Sequence, residues 1–99
     1  MSLRPVPAGY NSISAQATVS YGTSAVQLNP AVACDAVIII PEEANTGVTY
    51  WGGLGVTVDT GIPLAAWPDG DIIPINSTGK IYLISDQASQ EARFTALKG

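Results

Sequence analysis

The chain has 99 residues, of which 46% are hydrophobic and only 12% are charged, and its formal net charge is −4. It contains no histidine and one cysteine, so the side chains that carry most acid–base, nucleophilic and zinc chemistry near neutral pH are nearly absent. The basic residues Arg4, Lys80, Arg93 and Lys98 are scattered, which argues against a nucleic-acid surface and against an anionic membrane. We therefore expect one domain with no catalytic residue, metal ion or cofactor.

The N-terminal residues and the single cysteine bear on where the protein is made and on whether it self-associates. The N-terminal residues lack the apolar stretch of a signal peptide, and the longest apolar run, 36–41, is too short to span a membrane. Cys34 has no partner for an internal disulfide, which is typical of a reducing compartment. Since small domains without disulfides or metals often gain stability from partner subunits, we expect a self-associating protein made in a cytoplasm.

Residues 1–11 contain two prolines and show no hydrophobic periodicity, which predicts an extended arm rather than a strand. Two interpretations are open, a loose terminus or an arm that lies on a neighbouring subunit. In the second interpretation the apolar contacts would come from Leu3, Val6 and Tyr10.

Residues 12–99 are predicted to form one β domain. From Ile13 to Tyr21 apolar and polar residues alternate, which predicts a strand with one buried face. Further short strands are predicted between turns rich in glycine, proline and asparagine; they are 24–28, 33–41, 48–51, 56–59, 72–75, 80–85 and 91–97. About eight short antiparallel strands without a helical window predict an all-β sandwich or barrel of jelly-roll type.

The strand at 33–41 differs from the others because its residues 37–40 are Val-Ile-Ile-Ile, without alternation. Both of its faces are therefore expected to be covered. One face would meet the opposing sheet, and no helix is predicted that could cover the other. We therefore expect another subunit there and assign Val37 and Ile39 to the contact between subunits.

The aromatic residues Tyr50, Trp51 and Trp67 are candidates for a partner surface. Aromatic side chains with a polar group are common at interfaces and could present a platform to a capsid or a sugar. The alternative interpretation is that they pack in the core and at its ends.

Other patterns are better explained by structure than by chemistry. The acidic turn 69–71 offers too few oxygens for calcium, and the adjacent Glu42 and Glu43 would point apart, unlike a glycosidase pair. Cys34 has no histidine to activate it. The glycine run 52–55 is followed by neither a helix nor a lysine, so it predicts a hairpin turn rather than a phosphate loop.

Several short motifs occur in a fixed order between residues 33 and 97. They are an apolar strand, a glycine–x–proline–leucine crossing, an isoleucine–tyrosine–x–isoleucine strand and a last strand ending in Phe-Thr-Ala-Leu; here they lie at 36–40, 61–64, 81–84 and 94–97. In this order they resemble small virion proteins of tailed bacteriophages, of the capsid decoration or cement type.

The resemblance implies a non-enzymatic protein, made in the host cytoplasm, that binds the outside of the capsid and stabilises the head, often as a homotrimer. Its partners would be other copies of itself and the major capsid protein. The motifs would also suit another phage component, such as a head fibre base or a tail or baseplate protein. A carbohydrate- or receptor-binding β module is the remaining alternative.

Overall fold

The computed structural model describes residues 9–99, which form two antiparallel sheets of four strands packed face to face. The strands are β1 Ser12–Tyr21, β2 Val26–Gln27, β3 Ala36–Pro41, β4 Thr49–Gly52, β5 Ile62–Pro63, β6 Asp71–Pro74, β7 Tyr82–Ser85 and β8 Gln90–Lys98. A short 3-10 helix, Thr78–Lys80, precedes β7. The prediction of an all-β sandwich is confirmed. Leu3 and Val6 of the predicted arm lie outside the described residues.

The connectivity of the two sheets is nested. The first sheet has the order β1-β8-β3-β6 and the second has the order β2-β7-β4-β5. In sequence terms, β1 pairs with β8, β2 with β7, β3 with β6 and β4 with β5. Eight antiparallel strands nested in this way over two sheets form a jelly roll.

The core lies between the sheets and contains alternate residues of each strand. Val37 and Ile39 of β3 are both 0% exposed and pack in the same cluster as Phe94 of β8. Their assignment to a contact between subunits is therefore wrong, because both side chains face the opposing sheet of the same chain. The outward residues of β3 are Ile38 and Ile40, which are half-buried.

The segment between β4 and β5 differs from the prediction. Residues 56–59 were expected to form a strand but form turns, in which Val56 N–H donates to the Gly53 carbonyl (3.1 Å) and Gly61 N–H to the Thr57 carbonyl (2.8 Å). The Thr57 and Thr60 hydroxyls also bond across this turn at 3.1 Å. Because these local bonds satisfy the backbone, the segment needs no partner strand.

No helix among residues 9–99 is long and apolar enough to cross a membrane.

Candidate interaction surfaces

The aromatic candidates do not share one surface. Tyr50 and Trp51 are neighbours on β4, so their side chains point to opposite faces of the second sheet. Trp51 packs against the core, and Tyr50 lies beside the turn at Gly61. Trp67 belongs to the loop between β5 and β6 and is 36% exposed. A coplanar platform of all three residues is therefore not formed.

Trp67 instead belongs to a small charged cluster at the surface. The Arg93 guanidinium lies 4.9 Å from the centroid of the Trp67 ring, which is a cation–π distance. Arg93 also donates from Nε and Nη2 to the two carboxylate oxygens of Glu42, at 2.7 and 2.9 Å. The Arg93 hydrogen bonds lower the pKa of the Glu42 carboxyl, and the Glu42 carboxylate raises the pKa of Arg93. We call these three residues the Trp67 cluster.

A cavity of about 340 Å³ opens beside the Trp67 cluster. Its lining combines an aromatic ring, carboxylates and apolar side chains: Pro41, Glu42, Glu43, Asn45, Gly47, Val48, Thr49, Leu64, Ala66 and Trp67. The Asn45 amide is already engaged, because it donates to the Glu91 carbonyl (2.8 Å) and accepts from the Glu91 N–H (2.9 Å). Such a lining suits a polar ligand held by one ring and a few acceptors.

Gln90 fixes the loop that forms one wall of this cavity. Its side chain is 2% exposed, and its Oε1 accepts from the N–H groups of Thr46 (2.9 Å) and Gly47 (3.0 Å). Its Nε2 donates to the Thr46 hydroxyl (3.2 Å) and the Ala88 carbonyl (2.7 Å). Every hydrogen-bonding position of this buried amide is therefore used. The sequence placed Gln90 in a hairpin loop, where a glutamine is normally solvated.

A further surface feature is the outer side of the first sheet, which is apolar along β3 and β6. In the ladder between these strands Ile38 lies opposite Ile72, and Pro74 is exposed at the end of β6. We call Ile38, Ile40, Ile72 and Pro74 the outer apolar face.

This face continues around the edge of the sandwich. There a groove of about 310 Å³ separates β5 from β6 and is lined by Trp51, Ile62, Pro63, Asp71, Ile72, Ile73 and Pro74. Asp71 is the charged residue of this lining, and its Oδ2 accepts from the Ala65 N–H at 2.8 Å. Ile72 and Pro74 belong to both the groove and the outer apolar face, and Ile62 beside them is 55% exposed.

The remaining candidate residues lie in surroundings that indicate a structural role. Cys34 is buried, its thiol donates to the Ile75 carbonyl at 3.3 Å, and burial raises the pKa of that thiol, with Asp35 adding to the rise. Tyr10 is half-buried and lines a shallow depression with Ile13 and Leu97. Within residues 9–99 no three histidine, cysteine, aspartate or glutamate side chains group as metal ligands.

Comparison with protein-family models, curated proteins and solved structures finds no match for this chain. Inferences about function therefore rest on the Trp67 cluster with its cavity, on the outer apolar face and on the motifs between residues 33 and 97.

The ion pair of the Trp67 cluster leads to a prediction about acid stability. Because the pKa of Glu42 lies below about 4.5 in the folded chain, the pair stabilises the fold above that pH, and this contribution is lost as the pH falls through the depressed value. We expect Glu42→Gln to remove a small part of the acid-side loss of stability, since the ion pair is partly exposed to solvent.

The measurement is the free energy of unfolding by urea as a function of pH, followed by tryptophan fluorescence. Glu43→Gln is the control, since it removes a neighbouring exposed carboxylate that has no bond to Arg93 among the described residues. Identical pH profiles for the two variants would show that the pair with Arg93 does not contribute.

Proposed function

We propose that this chain is a non-enzymatic structural protein of a bacteriophage virion, a capsid decoration (cement) protein that binds the capsid exterior as a homotrimer and stabilises the head. The observation that carries the proposal is the outer apolar face on a jelly-roll sandwich. Jelly rolls recur in viral capsid proteins, although a fold alone does not assign a function. The motif order between residues 33 and 97 adds the resemblance to virion proteins.

The outer apolar face departs from the usual pattern of an antiparallel sandwich. One face of such a sheet normally packs on the core while the other carries polar residues. β1 follows this rule, because its outward residues Gln16, Thr18 and Ser20 are polar and exposed. β3 does not, since Ile38 and Ile40 point outward. An apolar strip on an otherwise polar sheet is typical of a surface that another protein covers.

The free energies of apolar burial and of association favour a protein that acts in many linked copies. A contact that removed about 400 Å² of apolar surface from water would gain about 10 kcal/mol. Association of a free chain costs about 4–15 kcal/mol, so one copy would bind weakly. A trimer shares that cost among three docked faces and so binds far more tightly without any new kind of contact.

The test is the solution mass of the chain and its binding to expanded capsids of the phage that encodes it. We expect three copies, or a multiple of three, by light scattering and co-sedimentation with capsids. Ile38→Lys and Ile72→Lys should abolish co-sedimentation with capsids, because these residues lie on the docked face. Leu54→Lys is the matched control, because it likewise replaces an aliphatic residue by lysine, but at a turn residue that is 86% exposed.

Near-ultraviolet circular dichroism would verify that each lysine variant keeps the native fold. A wild-type chain that is monomeric at micromolar concentration and does not bind capsids would overturn the proposal. Binding to isolated tails or baseplates instead of heads would favour another phage structural component.

The cavity beside Trp67 favours a second candidate, a carbohydrate- or receptor-binding module. An exposed indole with adjacent carboxylates suits a sugar ring, although Arg93 already lies over Trp67. Quenching of tryptophan fluorescence by oligosaccharides, lost in Trp67→Ala and kept in Trp51→Phe, is the expected result for this candidate. An unchanged emission spectrum across a glycan panel would dismiss it.

A further inference from the structure

The edges of the two sheets are not equally protected. The second sheet ends in β2 and β5, which have two residues each, and the first sheet ends on one side in β6, which has four residues and includes Pro74. Short length and proline both discourage the pairing of an edge with another strand. The remaining edge is β1, which has 10 residues. It is the longest strand of residues 9–99, and within them it pairs with β8 alone.

The hydrogen bonds of β8 identify the direction in which the β1 backbone points. The Leu97 carbonyl accepts from Asp35 N–H (2.8 Å) and the Glu91 carbonyl from Glu42 N–H (3.0 Å), on the side of β3. The odd-numbered residues of β8 therefore turn their backbone groups towards β3. Since these groups alternate along a strand, the even-numbered residues of β8 turn theirs towards β1.

Three residues of β1 consequently direct their backbone away from the sheet. Ala17 lies opposite Phe94, an even-numbered residue of β8, so this pair exchanges hydrogen bonds across the ladder. By alternation, the N–H and C=O groups of Gln16, Thr18 and Ser20 point outward from the free edge. All three residues are exposed. Within residues 9–99 the free edge thus presents a regular row of donors and acceptors that pair with no other strand.

None of the usual protections is present on this edge. β1 contains no proline, and residues 5–34 contain no charged side chain. Its one irregularity, a shift of register between Ile13 and Ala15, lies at the beginning of the strand and leaves 15–21 regular. Natural proteins that must keep an edge single usually place a lysine, a proline or a mid-strand bulge there.

We propose that β1 pairs antiparallel with β1 of a second copy across a twofold axis, which joins two four-stranded sheets into one sheet of eight strands. A strand is always equal in length to its own copy, and a neutral strand meets no like charge when it pairs with itself. With Thr18 opposite Thr18, Gln16 lies opposite Ser20, and about six backbone hydrogen bonds form. A twofold contact of this kind uses the same edge groups on both copies.

This contact is separate from the outer apolar face, which lies on β3 and β6 at the other side of the first sheet. The inference therefore goes beyond the proposed function and does not depend on it. If the chain is a trimer, β1 pairing would join two trimers into a hexamer. If it is not, β1 pairing would give a dimer. In either case, loss of the β1 contact halves the mass of the assembly.

The experiment compares the molar mass of the wild-type chain with that of Thr18→Pro, which removes one outward N–H at a position where an edge strand tolerates proline. Gln16→Lys combined with Thr18→Lys is the second variant, since it adds charge to the edge and keeps every N–H. We expect a twofold fall in mass for both variants. Leu54→Lys, which adds a positive charge in a turn, should leave the mass unchanged.

Amide hydrogen exchange distinguishes pairing of β1 between copies from a purely structural role of β1 within one copy. In the wild type the N–H groups of Gln16, Thr18 and Ser20 should exchange slowly and become faster on dilution. Those of Ala17 and Val19, which bond to β8, should stay slow at every concentration. A wild-type mass equal to that of both variants, or fast exchange at the three edge amides at all concentrations, would overturn the proposal.

Discussion

Replacement of Gln90 by leucine is expected to lower the free energy of unfolding by about 2 kcal/mol, because two partly buried backbone N–H groups would lose their acceptor. In the native chain the Gln90 Oε1 accepts from Thr46 and Gly47, and leucine has no atom that can do so. An unsatisfied buried donor costs about 1–3 kcal/mol, and two partly buried donors at the lower end of that range account for the effect. Urea unfolding monitored by tryptophan fluorescence is the measurement.

Gln87→Leu is the control for this substitution, since Gln87 is an exposed glutamine of the adjoining loop between β7 and β8. We expect it to change stability by less than about 0.5 kcal/mol. The Gln90 variant should also speed hydrogen exchange at Thr46 and Gly47 before global unfolding, because the wall of the cavity is no longer fixed. Equal stabilities of the two variants would mean that water replaces the lost bonds.

Replacement of Gly70 by alanine is expected to cost about 3 kcal/mol or more, because the new Cβ would collide with the backbone of β3. Gly70 has a φ of +62°, and a Cβ built on it would overlap the Ile39 carbonyl oxygen and lie 2.9 Å from the Ile40 Cα. Neither atom can move without a shift of β3 itself. The turn before β6 can therefore approach β3 only with glycine at this position.

Gly55→Ala separates the collision from the cost of the backbone conformation. Gly55 has a φ of +84°, but a Cβ built there would have no atom within 4 Å. Its replacement should cost only about 1–2 kcal/mol, the usual penalty of a left-handed conformation. Chemical denaturation of both variants is the measurement, and equal losses of stability would refute the role of the close approach to β3.

Much of the fold could be predicted from local pattern, and the errors arise where pattern is ambiguous. The alternation from Ile13 to Tyr21 predicts β1, and the buried Ala92, Phe94 and Ala96 of β8 alternate as expected. In β3 three isoleucines follow one another without alternation of apolar and polar residues, so the sequence could not show which residues face inward. A displacement by one residue exchanges the two faces of a strand. That is why the buried pair of β3 was assigned to the surface.

The surfaces were harder to predict because their parts are distant in sequence. Arg93 and Glu42 are 51 positions apart, and Gln90 lies 44 positions from Thr46. Nothing in the local composition around Gln90 distinguishes a buried, fully bonded amide from a solvated one. The aromatic residues were recognised as candidates, but the sequence could not show that Trp51 enters the core while Trp67 stays exposed.

The nested strand order also has a consequence for biosynthesis. The ladder between β1 and β8 joins residues as far apart as Ser12 and Lys98, which are 86 positions apart. On the ribosome β1 emerges well before β8, which is the strand that it pairs with among residues 9–99. Contacts of such long range form slowly, and unpaired strands are prone to intermolecular association. Nascent copies translated close together on one messenger RNA therefore carry an unpaired, uncharged strand until β8 has been synthesised, and we expect the sandwich to close only after that point.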